Sequence, residues 1–154
     1  MWTTTDALAQ ARQLLNLSPS DGGNVWRVRR LDSDGAYFLV HVADHVACLD
    51  SATGELLTSA VAERTPVAVT HEVAVERAAL GGTPTVELVW APCAATMSMF
   101  DPLWSVTLDR QCVFLDQRAK VWHTLPANVP GGAAVFFGSI RETASGCKGP
   151  IAGV

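Results

Sequence analysis

The sequence predicts an α+β fold of two similar half-domains, each one helix packed on a four-stranded antiparallel sheet. Three observations predict it. Two helical segments of like pattern lie 65 residues apart. Each is followed by runs that alternate apolar and polar residues. The matched segments keep one order in both halves of the chain. Four short strands with one apolar face need a cover, and a single helix supplies it. The units that follow are 1–65, 66–125 and a tail, 126–154, rich in Gly, Pro and Ala.

The helices come first in each unit. Residues 5–15 read TDALAQARQLL and residues 70–80 read THEVAVERAAL. Thr5 falls on Thr70, Ala9 on Ala74, Arg12 on Arg77 and Leu15 on Leu80. Leu8, Ala11 and Leu15 form one apolar stripe, and Val73, Ala74 and Leu80 form the other. Thr5 and Thr70 each stand where a hydroxyl accepts a free backbone N–H at a helix start. Gly81-Gly82 closes the second helix, where glycine relieves the left-handed turn. Gly22-Gly23 falls later and belongs to a cap or a turn.

A strand comes next in each unit. Val25, Arg27, Arg29 and Leu31 alternate with Trp26, Val28 and Arg30, and Val86, Leu88 and Trp90 share a face. Residues 37–58 and 103–124 then match at a displacement of 66, pairing Phe38 with Trp104, Val40 with Val106, Leu49 with Leu115 and Asp50 with Asp116. Both alternate about a polar turn, Ala43-Asp44-His45 or Asp109-Arg110-Gln111, which is the pattern of a β-hairpin. Asp50 and Asp116 open a second turn, with Gly54 supplying a positive φ in the first copy. A last strand follows in each, Glu55–Ser59 and Val121–Leu125. The halves are expected to meet edge to edge in one longer sheet, which would hide edges that invite aggregation. In the tail, Ala133–Ile140 reads as one more strand.

Composition bounds the function. Hydrophobic residues make up 49% and charged residues 17%, the balance of a folded chain. The net charge of −4 argues against general nucleic-acid binding, which needs a basic face. The one basic cluster, Arg27, Arg29 and Arg30, reads as a solvated strand face or as a contact for a phosphate or an acidic partner. No apolar run reaches the length of a membrane helix, and the first residues do not resemble a signal peptide. The expected location is cytoplasmic, or extracytoplasmic if a leader was removed.

Little in the sequence promises catalysis. Cys48, Cys93, Cys112 and Cys147 form no Cys-x-x-Cys pair, which disfavours zinc. His41 and His45 flank a hairpin turn and lack an evident third ligand. Asp50 and Asp116 recur at one place, and Asp there accepts backbone N–H bonds. No nucleophile elbow, phosphate loop or dinucleotide fingerprint is present. No enzyme activity, cofactor or metal is expected. Residues 92–102, PCAATMSMFDP, interrupt the second unit. Their Met97, Met99 and Phe100 are core residues or, if exposed, a soft contact patch. Trp90 and Trp104 join them as candidate binding residues, since tryptophan is enriched at binding hot spots.

Tyr37–Leu57 resembles a PepSY-type module. The resemblance rests on Tyr37-Phe38-Leu39-Val40, then Val46-Ala47-Cys48-Leu49-Asp50, then Thr53-Gly54-Glu55-Leu56. The second unit keeps Leu115-Asp116 but has Ala119-Lys120 where Thr-Gly would stand. The resemblance covers the two units and implies a non-enzymatic α+β domain of bacterial type, associated with peptidase inhibition or protein regulation. The expected function is a protein-binding or inhibitory module acting through an exposed sheet face or the 92–102 loop. Two alternatives stay open: an immunity- or antitoxin-like partner, and a small-ligand binder or thiol/histidine hydrolase using Cys93, Cys112 or the histidines. The expected partner is another protein, with no nucleic acid and no membrane, and the chain could also form a homodimer.

Overall fold

A computed structural model describes residues 1–96 and 98–126. Its elements run α1 (Thr4–Leu14), β1 (Gly23–Arg30), β2 (Ala36–Val42), β3 (His45–Asp50), β4 (Leu56–Val61), α2 (His71–Ala78), β5 (Thr85–Trp90), β6 (Leu103–Leu108), β7 (Gln111–Leu115) and β8 (Val121–Trp122). The expected fold class needs correction. There are not two half-domains with separate four-stranded antiparallel sheets. All eight strands form one sheet in the order β4-β3-β2-β1-β5-β6-β7-β8, so the two runs do meet edge to edge as expected. It is a mixed sheet, because β1 and β5 pair in parallel, Val28 with Leu88 and Arg30 with Trp90. The reason lies in the inner edges. Val28 and Leu88 are buried, and buried strand N–H and C=O groups must find partners. Pairing β1 with β5 satisfies both edges together. The Arg29 guanidinium, forking onto the Glu87 carboxylate at 2.6 Å and 3.1 Å, clamps the seam.

The sheet is covered on both faces. On β2, Phe38, Val40 and Val42 point one way and Tyr37 and Leu39 the other, as alternation requires. The first set packs with Ala7 and Ala11 of α1. The second packs in the core that includes Ala74 and Ala78 of α2, together with Trp104, Val106, Val113 and Leu115. The helices therefore lie on opposite faces. Each presents alanine to the sheet, which lets the helix backbone approach closely. A third core lies on the α1 face of the second run of strands, around Val89, Leu103 and Phe114.

Local chemistry explains most boundaries. Thr3, not Thr5, caps α1: its Oγ1 accepts the Asp6 N–H at 3.1 Å, and Asp6 Oδ2 accepts the Thr3 N–H at 2.8 Å. That reciprocal pair satisfies two amides that would otherwise be orphaned. The spacing Thr3-x-x-Asp6 specifies it, and Thr5-x-x-Leu8 offers nothing in return. Thr70 caps α2 as expected, accepting the Val73 N–H. Ala79 ends α2 in the left-handed conformation, two residues before Gly81 and then Gly82 take a positive φ as well. Both hairpins turn where the alternation places them, with Ala43 and Asp109 at φ of 52° and 54°. Among the described residues no helix is long and apolar enough to cross a membrane. The Ala133–Ile140 segment and the rest of the tail beyond Pro126 lie outside the described residues.

Candidate functional site

The 92–102 segment folds back onto the sheet. Tyr37 donates its hydroxyl to Met99 O at 2.6 Å, and Trp90 Nε1 donates to Ser98 O at 2.9 Å. Thr96 Oγ1 donates to Ala91 O. Met99 and Phe100 are half-buried against the α2-side core. Trp90 and Trp104 are buried, and Trp104 Nε1 donates to Val69 O at 2.7 Å. Of the predicted contact residues, four are thus drawn into or against one core, and Met97 lies outside the described residues. Their clustering was legible as apolarity. Its direction was not, because it depends on Tyr37 and Trp90 offering hydrogen-bond donors to the segment's carbonyls.

The histidines do not converge. His41 sits opposite Val46 and His45 opposite Val42 in the hairpin, so the two side chains leave opposite faces. His41 Nε2 lies 3.2 Å from Ala62 O. His45 Nδ1 lies 2.9 Å from Asp44 Oδ1, without hydrogen-bond geometry. Among the described residues no group of three or more His, Cys, Asp or Glu is placed to hold a metal. Cys48 and Cys93 are free and buried. Burial pushes the Cys48 thiol up to about 12. Burial also raises Cys93, against hydrogen bonds from Thr96 and the backbone of Ala95. Neither sulfur is poised as a thiolate nucleophile. Cys112 is not a free thiol.

Both aspartates serve turns. Asp50 Oδ1 accepts the amides of Ala52 and Thr53 at 2.8 Å and 2.9 Å. Asp116, 1% exposed, accepts the amides of Arg118 and Lys120 on Oδ1 and the Trp122 indole N–H on Oδ2. Burial alone would raise the Asp116 carboxyl, but those donors and the Arg118 charge outweigh it and hold it below the usual carboxylate range.

Two features remain that the sequence did not single out. The first is the outer edge of β4. It reads Leu56-Leu57-Thr58-Ser59-Ala60-Val61, with neither charge nor proline, and Val61 is 70% exposed. Ala62 N donates to Asp44 O, and the pairing runs His45–Val61, Val46–Ala60, Ala47–Ser59. In an antiparallel ladder the paired and outward-facing residues alternate. The amides of Ser59 and Val61 therefore point away from β3. The second is a cavity of about 590 Å³ beside the start of α1, lined by Trp2, Thr3, Thr4, Arg27, Phe38 and Ser51 among others. A signal for it existed. Trp2 precedes the Thr3 cap, where an apolar residue folds back onto the first helical turn, and Gly54 is the small residue beneath its ring.

No family model, curated protein or solved structure matches the chain.

Proposed function

We propose that the protein is a non-enzymatic binding module whose partner adds an extended strand to the outer edge of β4. The observation that carries this reading is the unprotected chemistry of that edge. A row of outward N–H and C=O groups templates pairing with another chain. Edges are ordinarily blunted by charge, proline or a bulge. Here the only irregularity falls between Cys48 and Leu49, opposite Leu57, and leaves Thr58–Val61 in register. Among the described residues nothing pairs with that side of β4. An inhibitory role, which the resemblance to PepSY-type modules implies, would use such an edge to hold a peptide in extended form. The β4 edge, rather than the 92–102 segment, is the proposed surface, since Met99 and Phe100 pack against the core.

The test is selection of displayed random peptides on the wild-type protein, with Ser59→Pro as the comparison. Proline at 59 removes an outward N–H and leaves the β3–β4 ladder intact. The proposal expects peptides of alternating apolar residues that bind wild type and lose at least tenfold in affinity on Ser59→Pro, with unchanged thermal unfolding. Peptides that bind both proteins equally would place the surface elsewhere. No enriched peptide at all would reject strand addition.

A further inference from the structure

We infer that the cavity beside α1 is a binding site for a small organic anion with an aromatic or apolar body. This rests on observations separate from the β4 edge. The body of the ligand is read from the walls. Trp2 and Phe38 supply two aromatic side chains, and the cavity's volume of about 590 Å³ suits a drug-sized molecule. Its charge is read from Arg27. On β1, Arg27 stands opposite Phe38, on the α1 face. Arg29 is neutralised by Glu87 and Arg30 by Asp32. Among the described residues Arg27 has no ion pair and no side-chain hydrogen bond. It is also the one charged side chain lining the cavity, in a chain of net charge −4. Asp6, two residues beyond Thr4, lines the neighbouring groove instead. The first turn of α1 borders the cavity, and its partial positive charge adds to that of Arg27.

The site is held in shape by its floor. The Asp50–Gly54 turn carries Ser51 along the wall, and Gly54, at φ 73°, lies so close under the Trp2 indole that a Cβ there would overlap the ring. Trp2 is therefore seated by the turn. A guanidinium beside an aromatic wall recognises a carboxylate, sulfonate or sulfate ester borne on a ring system, through a charge-assisted pair and stacking together.

A matched pair of probes tests this: 1-naphthylacetate and its neutral counterpart 1-naphthylacetamide, titrated into the ¹⁵N-labelled protein while the Trp2 indole N–H resonance is followed. The expected result is a saturable shift of that resonance with one acetate bound per chain, at least tenfold tighter than the amide. Arg27→Gln should abolish the difference and leave amide binding unchanged. Ala52→Trp, a substitution at an exposed position on the rim, should block both probes. Equal affinity for the two probes in wild type overturns the assignment of charge. No movement of the Trp2 resonance with either probe overturns the site.

Discussion

The Asp50–Gly54 and Asp116–Lys120 turns perform one task with different means. Each follows the third strand of an antiparallel run and each is opened by Asp. Asp50 works at the surface with one oxygen, since Oδ1 takes the Ala52 and Thr53 amides and the Thr53 hydroxyl. Asp116 works buried and with both, Oδ1 on two amides and Oδ2 on Trp122 Nε1. The left-handed position is filled by Gly54 at φ 73° in the first turn and by Ala119 at φ 64° in the second. The first turn is relaxed in its backbone and open to solvent, and Trp2 packs on it. The second pays backbone strain and is held by a buried carboxylate. Similar sequence patterns have been driven apart by what lies over them.

The largest expected effect separates the aspartates. Asp116→Asn places an NH₂ against either the Trp122 N–H or the two turn amides, so a buried donor loses its acceptor. A loss of about 3 kcal/mol follows, measured by urea unfolding. Asp50→Asn keeps the Oδ1 acceptor and leaves the amide in water, so its loss should stay below about 1 kcal/mol. The acid limb sharpens the contrast. Asp116 is held below the usual carboxylate range when folded, so it contributes stability above that range and loses it as pH falls below about 4. Backbone amides of Thr53 and Ala52 lower Asp50 as well. Asp116→Asn should flatten the decline of stability with acid, and an unchanged acid limb in that variant would contradict the role given to its charge.

Gly54→Ala comes next. It forces a Cβ into a positive φ and into the Trp2 indole, costing about 2 kcal/mol. It should also move the Trp2 indole resonance, because the ring must shift. If the resonance stays in place, Trp2 is not seated on the turn. The smallest effect has the opposite sign. Ala119→Gly relieves the left-handed strain of the second turn and should raise stability by about 0.5–1 kcal/mol, read from the unfolding midpoint. A destabilised glycine variant would mean that the Ala119 methyl, which packs against the α2-side core, outweighs the strain.

Much of the fold was legible because its signals are local. Alternation along 37–50 and 103–115 gave the hairpins. Thr70 marked the start of α2, whose left-handed end falls on Ala79 rather than on the Gly81-Gly82 pair. The displacement between halves points to Thr5, whereas the cap is specified by the Thr3-x-x-Asp6 reciprocity, a signal the displacement does not carry. The binding surfaces were hardly legible. Arg27 looks like Arg29 and Arg30 in sequence, and only Glu87 and Asp32, reached across the seam or around the turn, single it out by neutralising its neighbours. Val61 looks like Val42, and only strand order makes one an edge and the other core.

By itself the sequence determined the elements, their order and the turns that separate them, since hydrophobic period, caps and turn residues act within a few positions along the chain. The tertiary structure alone decided that the two runs meet in parallel at β1 and β5, that α1 and α2 take opposite faces, and that the 92–102 segment closes a core. Those choices depend on satisfying the inner edges of β1 and β5 and on burying both faces of β2 at once. They bring together residues far apart in the chain, and no local pattern records which pairs will meet.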